Sequence, residues 1–132
     1  MSPGPRALLL VDHGSRRQEA NQVGEELAAQ LRARRPDLQV ATAHLELAPP
    51  FLPEALDALV AAGAREIAVQ PCFLAPGRHG REDIARLAGA AAARHPDICV
   101  RVGEALGAHP ALVDALLERA DAALSAASPS RD

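Results

Sequence analysis

The sequence predicts an α/β fold: a four-stranded parallel sheet of order 2-1-3-4, flavodoxin-like, with helices on both faces. Three observations predict it. Four short apolar runs alternate with four helical patterns, and strict β-α alternation implies a parallel sheet covered by helices. The first apolar run, ALLLVD at 7–12, is nearly continuous rather than alternating, as in a strand buried on both faces. The 132 residues, 48% hydrophobic and 23% charged, match one ordinary globular domain. Right-handed crossovers restrict the topology, and 2-1-3-4 is the simplest order that satisfies them. The domain is expected over 1–124, followed by a flexible Ser/Pro tail at 125–132.

Residues 7–12 (ALLLVD) form the first run, ended by His13-Gly14-Ser15. Ser15 with Gln18 resembles a capping box, and the helix it opens runs to about Arg34 before Pro36. Val23, Leu27 and Leu31 repeat every four residues or so, a core-facing stripe. Residues 38–46 (LQVATAHLE) read as the second strand, punctuated by Pro49 and Pro50. A helix follows near 53–62, with Gly63 just past its end, where glycine commonly stops a helix. Residues 66–74 (EIAVQPCFL) make the third strand. A loop rich in Pro and Gly leads to His79, and a helix covers about 81–94. Residues 98–102 (ICVRV) are the short fourth strand. The last helix starts at His109-Pro110, with proline at its first position.

Composition excludes several functions. The net charge of -3 offers no broad attraction to nucleic acid. Phe51 and Phe73 are the only aromatic residues of the Phe/Trp/Tyr set, so base-stacking platforms are lacking. All fourteen basic residues are Arg, which removes Schiff-base and P-loop lysine chemistry. Cys72 and Cys99 show neither zinc spacing nor a disulfide framework, which fits a reducing cytoplasm. The opening MSPGPRALLL has too short an apolar run for a signal peptide, and no segment approaches the roughly 20 apolar residues that span a bilayer.

In an open parallel sheet, ligands bind beyond the carboxyl ends of the strands, near the switch point between the first and third. His13 follows the first strand, Glu46 closes the second, His79 lies in the loop after the third and His109 in the loop after the fourth. In the order 2-1-3-4 the first three converge. Two imidazoles with one carboxylate suit divalent first-row metals, and neutral imidazole also accepts protons near pH 7. His44 alternates with Glu46 and reads as either a site wall or a core histidine. His109 is most simply a helix-start residue, and His95, before Pro96, a helix-end residue. Cys72 reads as a small buried residue rather than a ligand. Arg16, Arg17, Arg78 and Arg81 together suggest an anionic ligand. Gly14, Gly77 and Gly80 serve turns, and no G-x-G-x-x-G follows the first strand. Arg78-His79-Gly80 matches the short signature of histidine phosphatases, but follows the third strand, whereas that signature normally follows the first.

The ordered set LLLVDHGSR at 8–16, HLELAPPFLPEAL at 44–56, PCFLAPGRHGREDI at 71–84 and EALGAHPALVDAL at 104–116 resembles the sirohydrochlorin chelatase family over roughly residues 6–120. The resemblance implies insertion of cobalt, iron or nickel into a modified tetrapyrrole without nucleotide, and no cofactor beyond that substrate metal. It implies that His13 and His79 bind metal and take protons, with Glu46 assisting. Arg16, Arg78 and Arg81 would meet the ring's carboxylates, which Arg binds bidentately. Leu10, Leu45, Phe73 and Leu74 would line an apolar cleft. Members of this length resemble one half of a two-lobed chelatase and are expected to pair as homodimers. Asp12 departs from the pattern, since the residue before this His is commonly Gly. A metal or tetrapyrrole carrier on the same fold is the competing reading, because fold does not fix function.

Overall fold

The computed structural model describes residues 5–75 and 77–126; the side chains of Arg78 and His79 lie outside what it describes. Its elements alternate throughout: β1 (Arg6–Asp12), α1 (Gln18–Arg34), β2 (Gln39–His44), α2 (Leu52–Ala61), β3 (Glu66–Pro71), α3 (Gly77–Arg94), β4 (Cys99–Val102) and α4 (Pro110–Leu124). The strands form one sheet of order β2-β1-β3-β4, and every pairing is parallel. The predicted fold class and strand order are those observed.

Strand alternation divides the side chains between the two faces. Leu9 and Val11 of β1 and Ile67 and Val69 of β3 join Leu52 and Leu56 of α2 and Ile84 of α3 in the main core. Leu10 and Val40 point the other way and meet Ala28 of α1 in a smaller cluster. Leu10 therefore lies beneath α1, not in an edge cleft as expected.

Three local expectations are corrected. Ser15 does not cap α1: the N-cap is Arg17, which makes no side-chain cap bond. Instead the Ser15 Oγ accepts from the Arg17 amide at 3.0 Å. Asn21 then receives the Ser15 N–H at 2.9 Å and donates its own amide to the Ser15 carbonyl at 2.8 Å. The turn is held by an asparagine one helical turn further on. Of the expected stripe, Leu31 packs against the smaller cluster, but Val23 and Leu27 do not face the core; they are 52% and 44% exposed. Small Ala28 is the buried residue of α1 and Gly24 lies next to Thr42 and Asp12, so the contact line runs one position over. Finally, β2 and β3 end at His44 and Pro71, and α3 begins at Gly77. Glu46, Phe73 and Leu74 thus sit in loops, and His79 occupies the first turn of a helix rather than a loop.

Candidate active site at the carboxyl edge of the sheet

The parallel ladders continue past the ends of the strands and fix the loops there. The Cys72 amide donates to the Val11 carbonyl at 2.8 Å, Leu45 to Asp12 at 2.9 Å, and Glu46 to His13 at 3.0 Å. Gly14 then turns the chain at φ 91°, and a Cβ at this position would overlap the Glu46 carbonyl oxygen. Only glycine combines that dihedral with that approach. The expected turn at Gly14 is observed, and His13 and Glu46 adjoin through this backbone hydrogen bond.

His13 is exposed at the end of β1. Its ring stacks on Phe73, with centroids 4.3 Å apart and planes 22° from parallel. Phe73 is itself packed against the main core, so one rigid aromatic face sets the plane of the imidazole. Glu46 is bonded to His13 through the backbone and its side chain is exposed. Next to Phe73, Leu74 and Arg81 line a cleft of about 620 Å³ between the start of α3 and the loop after β4, with Pro71, Ile84, Val102 and Glu104 in its wall. Gln70 Nε2 holds the two sides together, donating to the Pro71 carbonyl at 2.9 Å and the Glu104 carbonyl at 2.6 Å. Leu45 is half-buried against the main core. Arg16 is exposed on the loop after His13.

The backbone places Arg78 and His79 in the first turn of α3, at the same edge, while their side chains lie outside the described residues. His109 stands apart as the N-cap of α4, its Nδ1 accepting from the Ala111 amide at 3.0 Å, the helix-start role expected from sequence. Cys72 packs against the α1-side cluster, and burial raises its thiol pKa above the ordinary value. Among the described residues, no three His, Cys, Asp or Glu side chains gather into a group that holds a metal.

Sequence reading left one pair unnoticed. Asp12 and His44 are register partners on β1 and β2, and His44 Nδ1 donates to the Asp12 carboxylate. His44 is 4% exposed, so its ring is held in place rather than free at the edge. Two residues back, the Thr42 hydroxyl donates to the Glu25 carboxylate of α1. Asp12 has a purpose here: a buried polar ring needs a partner, and Asp12 provides it. The signal was available, since residues ending adjacent strands of equal register face the same side. It required the register, which a single sequence does not give.

An open parallel α/β domain, with a ring-stacked histidine at the end of its first strand and a cleft along the same edge, defines the class of this molecule. The CbiX family model matches residues 7–123, and the chain belongs to that family. Among curated relatives, the chloroplastic sirohydrochlorin ferrochelatase of Arabidopsis thaliana is 37% identical over 118 residues, 89% of this chain and 52% of that protein. The sirohydrochlorin cobaltochelatase of Methanococcoides burtonii is 32% identical over 121 residues, covering 86% and 92% of the two chains. The CbiX protein from Marinobacter aquaeolei VT8 superposes with a TM-score of 0.78 at 29% identity, covering 91% of this chain and 98% of that one. The sirohydrochlorin chelatase SirB from Bacillus subtilis subspecies spizizenii, in complex with cobalt, gives 0.81 at 31% identity, covering 89% of this chain and 50% of that one. The chain spans little more than half the length of the first curated relatives it matches, at 52% and 58%.

Proposed function

We propose that this chain is a metal chelatase that inserts Co²⁺, Fe²⁺ or Ni²⁺ into sirohydrochlorin or a related modified tetrapyrrole without nucleotide, as a step of cobalamin- or siroheme-type biosynthesis. The observation that carries this reading is the placement of His13: an exposed imidazole at the carboxyl end of β1, held flat on Phe73. That is where the ligands of an open parallel sheet collect. The names of the relatives support cobalt and iron as metals; nickel rests on the similar preferences of imidazole for all three ions.

In this reading the ring lies along the edge cleft, against Phe73 and Leu74. Its carboxylates meet Arg16, Arg78 and Arg81. His13 and His79 hold the ion and present it to one face of the macrocycle. Insertion exchanges one M²⁺ for two pyrrole N–H protons, and the imidazoles with Glu46 take those protons near neutral pH. No resident cofactor is required. The domain occupies 1–124, two copies pair as a homodimer, and the reaction belongs in the cytoplasm, which suits two free thiols at Cys72 and Cys99. No helix among the described residues is long and apolar enough to cross a membrane.

The test is insertion itself. Purified protein is mixed with sirohydrochlorin and each metal separately, and the Soret-region shift is followed. Acceleration with at least one metal is expected, and His13→Ala and His79→Ala should each remove it with circular dichroism unchanged. Rates no faster than the uncatalysed control for all three metals would overturn the enzyme reading. Full activity in both variants would overturn the site assignment.

A further inference from the structure

His13 and Arg16 leave the sheet on one short loop, and a single side chain decides how firmly that loop is held. The Glu46 amide donates to the His13 carbonyl at 3.0 Å. From Gly14, at φ 91°, to the start of α1 at Gln18 the chain lies outside both strand and helix. Backbone N–H and C=O groups in such a segment need partners from elsewhere.

Asn21, half-buried in the first turn of α1, supplies them. Its Oδ1 accepts from the Ser15 amide at 2.9 Å, and its Nδ2 donates to the Ser15 carbonyl at 2.8 Å. The Asn21 backbone amide donates to the Arg17 carbonyl at 3.3 Å, while the Arg17 amide donates to the Ser15 Oγ at 3.0 Å. Both neighbours of Arg16 are therefore tied to one residue, Ser15 through its side chain and Arg17 through its backbone. One orientation of the amide serves both Ser15 groups, because an N–H needs the oxygen and a carbonyl needs the NH2. An aspartate of the same shape would keep the first bond and set a carboxylate oxygen against the Ser15 carbonyl. Arg16 is exposed and makes no ion pair among the described residues.

We propose that Asn21 is a positioning residue for anion recognition: it closes the 15–21 segment on itself and so holds the Arg16 backbone where the guanidinium meets a carboxylate of the tetrapyrrole. This rests on the ligand reading above and names the residue that prepares one of its contacts. Backbone order present before binding is not lost on binding, which is how a pinned loop raises affinity. His13 is held by separate groups, the Glu46 amide and the Phe73 ring. Loosening Asn21 therefore weakens ligand binding and spares the step at His13.

The test titrates metal-free sirohydrochlorin into the protein and follows the Soret band, so binding is read without insertion. Arg16→Ala should raise Kd at least tenfold and Asn21→Asp at least fivefold, with circular dichroism unchanged. The double variant should bind within twofold of Arg16→Ala alone, because a residue that acts through another adds nothing once that other is gone. In the insertion assay Asn21→Asp should raise KM by the factor seen in Kd and leave kcat within twofold. If Asn21→Asp does not fold, Asn21→Ala, which removes both side-chain bonds and adds no charge, takes its place in the cycle. Wild-type affinity in the Asn21 variant, losses that multiply in the double variant, or a fall in kcat with KM unchanged overturns the positioning role and leaves the chelatase reading standing. Binding that follows the expected cycle without insertion of any metal supports the positioning role and sinks the enzyme reading. A wild type that does not bind the tetrapyrrole overturns both.

Discussion

Gly14 shows how much one atom decides at the edge. It lacks the Cβ that would collide with the Glu46 carbonyl, and its φ of 91° lies where L side chains are strained. Gly14→Ala is expected to lower stability by about 2–3 kcal/mol, adding backbone strain to a forced shift of the 44–46 segment. Urea denaturation would measure it, and a loss below about 0.5 kcal/mol would contradict the packing described. The sequence already marked Gly14 as a turn residue and His13 as an edge residue. It did not show that Phe73 supplies the surface under the imidazole. That contact joins residues sixty apart, and only the strand order brings them together. The Asp12–His44 pair was hidden for a related reason: His44 read alone is either a site wall or a core residue, and its hydrogen bond to Asp12 decides between them.

Elements are fastened to one another at few points. Asp57 on α2 accepts from Arg94 at the end of α3, at 2.9 and 3.1 Å, and is 2.8 Å from His95 Nε2. The His95 hydrogen bond, then Arg94, holds the Asp57 carboxyl below its usual pKa. A carboxylate whose pKa is depressed in the fold stabilises it at pH above the unfolded value, near 4, and loses that contribution as pH falls through the folded value. The group is partly exposed, so solvent screening limits the effect. Asp57→Asn should cost about 0.5–1 kcal/mol at pH 7, and the difference should shrink as pH is lowered below 4. An undiminished difference in urea midpoint at pH 2.5 would contradict the assignment. The boundaries of elements were less legible than their order. Residues 72–74 and 45–46 keep strand-like composition after the ladder has stopped, because they pack on the core as loops. Helix α3 starts earlier than its apolar pattern, because Gly77 to Gly80 offer no periodic signal to extend it.

At the scale of the whole molecule, stability is concentrated on one side of the sheet. Leu9, Leu52, Leu56, Ile67 and Ile84 are all fully buried there, whereas the cluster under α1 contains three buried residues, Leu10, Ala28 and Val40. Leu56→Ala should therefore cost about 2–5 kcal/mol, and thermal unfolding would show it as a large drop in midpoint. The β-α order, parallel pairing and strand sequence were legible because buried parallel strands are short, apolar and separated by helices. The exposure of Ala68 in the middle of β3 was not, since it reads like any small residue of a covered strand.

Cys72 follows β3 at the carboxyl edge, half-buried against the cluster under α1, with its sulfur 3.7 Å from the Gln70 carbonyl. Burial raises the pKa of that thiol above its ordinary value, which disfavours the thiolate, the form that competes strongly for a soft ion. In the chelatase reading proposed above, an ion at this edge would meet nitrogen and oxygen donors ahead of this half-buried sulfur.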